Sequence, residues 1–245
     1  MRVIRCHVEA PLAPGTEVVL PEEKGLHLLR VLRLREGDAV VLFNGDGANY
    51  PARIAVAAKR AMALRVESRE PLENESPLAI TLLQGIARGD KMDLILQKAT
   101  ELGVHAIQPV VTERTEVKLD GERADRRIAH WRGVVAAACE QSGRTRVPTV
   151  AEPRPLQEAL AALPAGARKL ILDPRRGRAL KALQVEVAKP VVLVVGPEGG
   201  LGDRDHLQLG KAGFEGVQLG PRVLRTETAG LAVLAALQAL YGDWA

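Results

Sequence analysis

At 245 residues the chain is long enough for two domains, and 47% apolar residues can fill real cores, although two each of Trp, Tyr and Phe leave that task to Leu, Val and Ala. With 34 basic and 30 acidic residues the net charge is only +4, which excludes a polycationic tail and requires any nucleic-acid contact to be a folded basic patch. Cys6 and Cys139 stand far apart without metal-ligand spacing, and no charge-free stretch reaches membrane-spanning length, so a cytoplasmic protein with no disulfide, no metal site and no membrane partner is expected.

Residues 1–73 read as a compact β domain. Residues 2–8 alternate weakly, residues 38–43 run into Asn44-Gly45-Asp46-Gly47, and residues 49–57 and 61–70 supply further short runs. Asn-Gly flanked by apolar residues is a hairpin signal. Between them Pro21 suits the first turn of a helix with Leu26, Leu29 and Val31 on one face and His27, Arg30, Arg33 and Arg35 on the other. That outer face is either solvated or a contact for RNA.

Residues 71–77 are polar with Pro at both ends, which puts the linker there and opens a second domain at residues 74–245. Residues 78–84 form a strand. A helix capped by Asp90 runs to Leu102, stops at Gly103, and buries Leu94, Ile95, Ala99 and Leu102. Lys91 and Lys98 lie off that stripe, with Glu101 at ion-pair spacing from Lys98. A strand at 104–111 leads to Arg114. A long helix at 123–141 ends in Glu140-Gln141-Ser142-Gly143-Arg144. Arg114 and Arg144 meet phosphate, or they neutralise Glu113 and Glu140. Helices at 155–163 and 179–185 flank a strand at 169–172, and this alternation implies a largely parallel α/β domain.

Residues 191–195 are an unbroken apolar run between Pro190 and Gly196, as in a strand buried on both faces. Gly196-Pro197-Glu198-Gly199-Gly200 follows, where glycines let backbone amides approach a ligand closely. A polar helix from about 202, a short apolar step at 217–219 and a second loop, LGPRVLRTETA from Leu219, lead into an apolar helix at 229–241. Ligands in open α/β sheets bind outside the carboxyl ends of strands, so the two loops can close on one site. The first loop lacks the Lys-Ser/Thr of a P-loop and contains an acid, which disfavours a nucleotidyl enzyme.

These two motifs, together with HLLRVLRLREGD, KMDLILQKATELGV and EQSGR, resemble the RsmE-type methyltransferases of the SPOUT superfamily, which methylate N3 of a uridine in 16S ribosomal RNA. The resemblance implies a PUA-like RNA-binding barrel followed by a SPOUT domain whose last segment is threaded into a trefoil knot. It also implies a homodimer acting on the small ribosomal subunit with S-adenosylmethionine. Cofactor contacts then fall to Leu172, Asp173, Gly196, Pro197, Glu198, Gly199, Gly200, Leu219, Gly220, Val223, Leu224 and Thr226. RNA contacts fall to Arg30, Arg33, Arg35, Arg88, Lys91, Lys98, Arg114 and Arg144. Candidates for the chemistry are Arg225 as a fixed cation, with Arg222 nearby, and Glu198 or Glu227 as proton acceptor. Thr226 or Thr228 as a helix cap, with Glu227 favoured by the helix dipole, is the structural alternative. A SPOUT enzyme acting on ribose 2′-oxygen or guanine, and a non-catalytic RNA-binding protein, are the competing functions.

Overall fold

The computed structural model describes residues 3–58, 61–117, 121–174 and 177–244. Arg2, the first residue of the expected N-terminal strand, lies outside them. The chain forms two compact units, one of Met1–Asn74 with Cys139–Val147, the other of Glu75–Ala138 with Pro148–Ala245.

In the first unit, β1 (Arg5–His7), β2 (Glu17–Leu20), β3 (Ala39–Phe43), β4 (Ala48–Ala58) and β5 (Ala61–Val66) form a sheet in the order β1-β3-β4-β5-β2, with β6 (Glu70–Pro71) paired to β4. All pairings except β1 with β3 are antiparallel. Alternate residues of β4, Ala48, Tyr50, Ala52 and Ile54, face the core as the two-residue repeat of a strand requires. The helix expected after Pro21 is only α1 (Glu22–Leu26), followed by a π-helical turn at His27–Val31. The Leu32 N–H reaches back to His27 O at 3.2 Å, and this widened turn rotates the apolar face. Leu28 is therefore buried, while Val31, expected inside, is 63% exposed. Arg33 then adopts φ 58°, a left-handed conformation that side chains rarely take.

The second unit is built on a parallel sheet of β7 (Ile80–Gly85), β8 (Ala106–Val111), β9 (Thr149–Val150), β10 (Arg154–Pro155), β11 (Arg168–Leu172), β12 (Arg178–Ala179), β13 (Val191–Val195) and β14 (Glu215–Gln218). The order is β10-β8-β7-β13-β11-β14-β12, with β9 also on β8. Central β13 is buried at every residue, which its unbroken Val/Leu run requires. Arg168 grips both oxygens of Glu215 at 2.7 and 2.8 Å, so neighbouring β11 and β14 are tied at the end remote from their loops. The helices are α2 (Asp90–Glu101), α3 (Gly121–Ser142), α4 (Leu156–Ala161), α5 (Asp203–Lys211) and α6 (Thr226–Tyr241). The helix expected at 179–185 is instead β12 and one 3-10 turn at Leu180–Ala182, because β14 takes Arg178 and Ala179 as a strand. On α2 the buried face is Met92, Ile95, Leu96, Ala99 and Thr100, so Leu94, expected inside, is 41% exposed. Helix α6 packs on α2 and β13 and buries Val233, Leu234 and Leu237. Gln238, buried on the same helix, accepts from Ser76 Oγ at 2.6 Å and donates to Leu102 O at 3.0 Å. Among the described residues no helix is long and apolar enough to cross a membrane.

Candidate active site

Strands β13, β11 and β14 lie side by side, and their carboxyl ends release residues 196–200, residues 173–174 and residues 219–225. Between these loops opens a cavity of about 690 Å³, a size suited to a small organic ligand. Every residue expected at the cofactor, from Leu172 and Asp173 through Gly196–Gly200 to Leu219, Gly220, Val223, Leu224 and Thr226, lines it. Arg222, Arg225, Glu198 and Glu227, the candidates for the chemistry, line it as well, as do Lys91 and Arg114.

The first loop is held from four directions. A Cβ added to Gly85, at the end of β7, would stand 2.5 Å from Pro197 Cδ, so only glycine lets these backbones touch. Thr226 Oγ donates to Gly196 O at 2.6 Å and accepts from Gln84 Nε2 at 3.0 Å; the same Gln84 nitrogen donates to Gly85 O at 2.9 Å. Arg114 donates to Gly199 O at 3.0 Å. Glu198 Oε1 accepts from the Arg88 N–H and from Lys91 Nζ, each at 3.1 Å. Burial of Glu198 pushes its carboxyl up, but the N–H groups of Glu198 and Arg88 and the Lys91 ammonium outweigh this and hold it below the usual carboxylate range.

The second loop delivers α6. Arg225 occupies its N-cap position in extended backbone with no side-chain cap, so neither threonine caps the helix as expected. Thr226 reaches across to Gly196 instead. Arg225 and Arg222 are exposed on the cavity rim. Glu227 sits in the first turn, and its Oε2 is buried with no hydrogen-bond partner. Asp173 Oδ2 lies 3.9 Å from His206 Nδ1 of α5, both on the cavity wall. Among the described residues no group of three or more His, Cys, Asp or Glu is placed to hold a metal ion.

The basic residues expected at RNA fall into distinct settings. Arg30, Arg33 and Arg35 are exposed together on the π turn and the residues after it. Arg88 pairs with Glu116 at 2.9 Å, Lys98 with Glu101 at 2.8 Å, and Lys91 with Glu198, so these three already carry local partners. Arg114 does not neutralise Glu113, whose carboxylate accepts the Arg204 N–H at 3.0 Å at the start of α5. Arg144 is only 6% exposed, and its carbonyl accepts from Arg5 at 3.0 Å, which makes it part of the first unit's packing and not an open phosphate contact. Gln84, which donates to Thr226, was not among the expected site residues. The available signal was a Gln directly after the apolar pair Leu82-Leu83 and just before glycine.

Residues 74–238 match the RNA methyltransferase domain family, and residues 20–67 match the RNA methyltransferase PUA domain. The ribosomal RNA small subunit methyltransferase E of Mycobacterium bovis is 33% identical over 94% of this chain and 89% of its own length. Its counterpart from Bacillus subtilis is 31% identical over 86% of this chain and 85% of its own. A crystal structure of the Neisseria gonorrhoeae ribosomal RNA small subunit methyltransferase E bound to S-adenosyl methionine superposes over all of both chains with a TM-score of 0.94 at 44% identity. A methyltransferase of Legionella pneumophila in complex with the same cofactor covers 99% of this chain and 100% of its own at 37% identity and a TM-score of 0.94. With its fold, its paired loops and its length all matched, the chain belongs to the ribosomal RNA small subunit methyltransferase E family.

Proposed function

We propose that the protein transfers a methyl group from S-adenosylmethionine to N3 of a uridine in 16S ribosomal RNA, in the assembled small subunit and in the cytoplasm. The carrying observation is the cavity between residues 196–200 and 219–225, which combines a glycine-lined wall with an exposed arginine on its rim. Its lining suits the cofactor chemically: Leu172, Val195, Leu219 and Leu224 offer apolar contact for a flat base, and Asp173 offers an acceptor for hydroxyls. When bound, the cofactor supplies an electrophilic methyl on a sulfonium. The chain's own task is to orient the uracil and to stabilise the charge that spreads onto its oxygens when N3 loses a proton. The position of Arg225 on the cavity rim supports this role for it, since a guanidinium can donate charge-assisted hydrogen bonds to those oxygens.

The exposed arginines Arg30, Arg33 and Arg35 of the first unit bind RNA through its phosphates. The exposed Leu240 at the end of α6 and the exposed Trp244 beyond it, each 52% accessible, support a homodimer that covers them. Sedimentation tests this: Leu240→Glu should shift a dimer to monomer. Leu234 is buried within the chain, so its replacement would test folding instead. A central β13 and an α6 that returns onto α2 and β13 support the threaded trefoil arrangement implied by the sequence resemblance. The reaction is tested by incubating unmethylated small subunits with labelled S-adenosylmethionine and mapping the modified base by nuclease digestion and mass spectrometry. Label on a ribose or a guanine would replace the uracil assignment.

A further inference from the structure

Two carboxylates, Glu198 and Glu227, reach the wall of the same cavity, and their surroundings differ. Glu198 Oε1 is engaged twice, by Lys91 Nζ and by the Arg88 N–H. A carboxylate so satisfied is a poor proton acceptor, because each donor stabilises the anion. Glu227 Oε2 is buried and accepts nothing. A buried acceptor left without a donor is unfavourable, which a ligand bringing a proton would relieve. Nor is Glu227 free to fray towards a partner. Its neighbour Thr226 is bonded to both Gly196 and Gln84, and the Arg225 carbonyl accepts the N–H groups of Thr228 and Ala229 at 2.9 and 2.8 Å.

We propose that Glu227 accepts the N3 proton of the uracil, while Glu198 braces the loop at residues 196–200. This rests on the methyl transfer to uracil N3 argued above. The N3–H bond breaks, its proton passes to a Glu227 oxygen and its electron pair stays on nitrogen. That pair forms the bond from N3 to the methyl carbon, and the pair of the breaking sulfur–carbon bond remains on sulfur as a neutral thioether. The positive charge of the sulfonium and the negative charge of the carboxylate thus cancel, and Glu227 afterwards returns its proton to water. The other charged groups on the wall are Asp173 after β11, Lys91 on α2 and Arg114 after β8. Asp203 and His206 face in from α5, and Arg222 and Arg225 from the loop before α6. His206 is the one imidazole among them, so it needs its own control.

Single turnovers with the full chain, unmethylated small subunits and labelled S-adenosylmethionine, measured from acid to alkaline pH, test the assignment. Glu227→Gln should slow transfer at neutral pH by roughly 10²–10³-fold, the scale of a general base. The deficit should shrink as pH rises, because the uracil then ionises unaided, and calorimetry should show little change in cofactor affinity. Glu227→Asp should recover part of the rate. Glu198→Gln and His206→Gln should show no such recovery as pH rises above neutrality. A Glu227→Gln deficit equal at every pH, a Glu227→Gln rate like that of wild type, or a Glu198→Gln deficit that disappears at alkaline pH would overturn the proposal. Failure of the wild-type protein to place label on uracil N3 would instead overturn the reaction itself, and the product map shows this before any variant is made.

Discussion

Lys91 Nζ stands 3.1 Å from Glu198 Oε1, joining the first turn of α2 to the loop after β13. Lys91 is 39% exposed and Glu198 20%, so solvent screens the pair and its effect on global stability is small. What it governs is the shape of one wall of the cavity.

Lys91→Met is therefore expected to weaken S-adenosylmethionine binding several-fold while shifting the melting temperature little. The pair also sets a dependence on pH. Glu198 has its folded pKa held down, so its contribution is present above the ordinary carboxylate value and is lost as pH falls through the lower folded value. Cofactor binding followed from neutral pH into the acid carboxylate range should fall in the wild type, and this acid-side loss should be smaller in Lys91→Met.

Arg225→Ala should cut turnover on the order of a hundredfold, the scale for loss of one preorganised donor, with cofactor affinity nearly unchanged. Arg225→Lys should restore only part, because an ammonium lacks the planar fork. Turnover and cofactor affinity measured on the same variant separate this role from a structural one, in which both fall together.

Thr226→Val removes the bond to Gly196 O and leaves the fully buried Gln84 Nε2 with Gly85 O in place of its two acceptors. A cost of about 1–3 kcal/mol is expected, read as a lower melting temperature together with weaker cofactor binding. Thr226→Ser should recover most of both.

Replacing Arg30, Arg33 and Arg35 with Ala should weaken RNA binding and flatten its salt dependence without changing cofactor affinity. Arg33 adds a second readout. Its φ of 58° costs a side-chain-bearing residue roughly 1–2 kcal/mol, so Arg33→Gly should hold or raise thermal stability even as RNA affinity falls. An unchanged salt slope in the triple variant would move the RNA surface elsewhere.

What was legible from sequence followed the length of each signal. The apolar run of β13 and the long periodic stretches of α2 and α3 give themselves away locally. The two-residue strands β9, β10 and β12 carry no period to read, and their pairing is decided by distant neighbours. The π turn at His27–Val31 moved Val31 out and Leu28 in, because one extra residue in a turn rotates everything after it. At the site, glycine and proline marked both loops. The groups that hold those loops, Gln84, Thr226 and the Lys91–Glu198 pair, come from segments far apart in the chain, and local pattern does not encode such meetings.

The contact between Gly85 and Pro197 has a consequence for how the protein is made. The cavity exists only once segments more than a hundred residues apart have met, since Arg88 and Glu198 are separated by 110 positions and Gln84 and Thr226 by 142. Contacts this distant form late and slowly in folding. A product truncated before α6 keeps residues 172–173, 196–200 and 219–225 but lacks Thr226, whose hydroxyl holds Gly196 O, so its first loop loses a brace. Ligand occupancy then stabilises the finished protein above such fragments, so the ligand itself becomes a mark of complete synthesis.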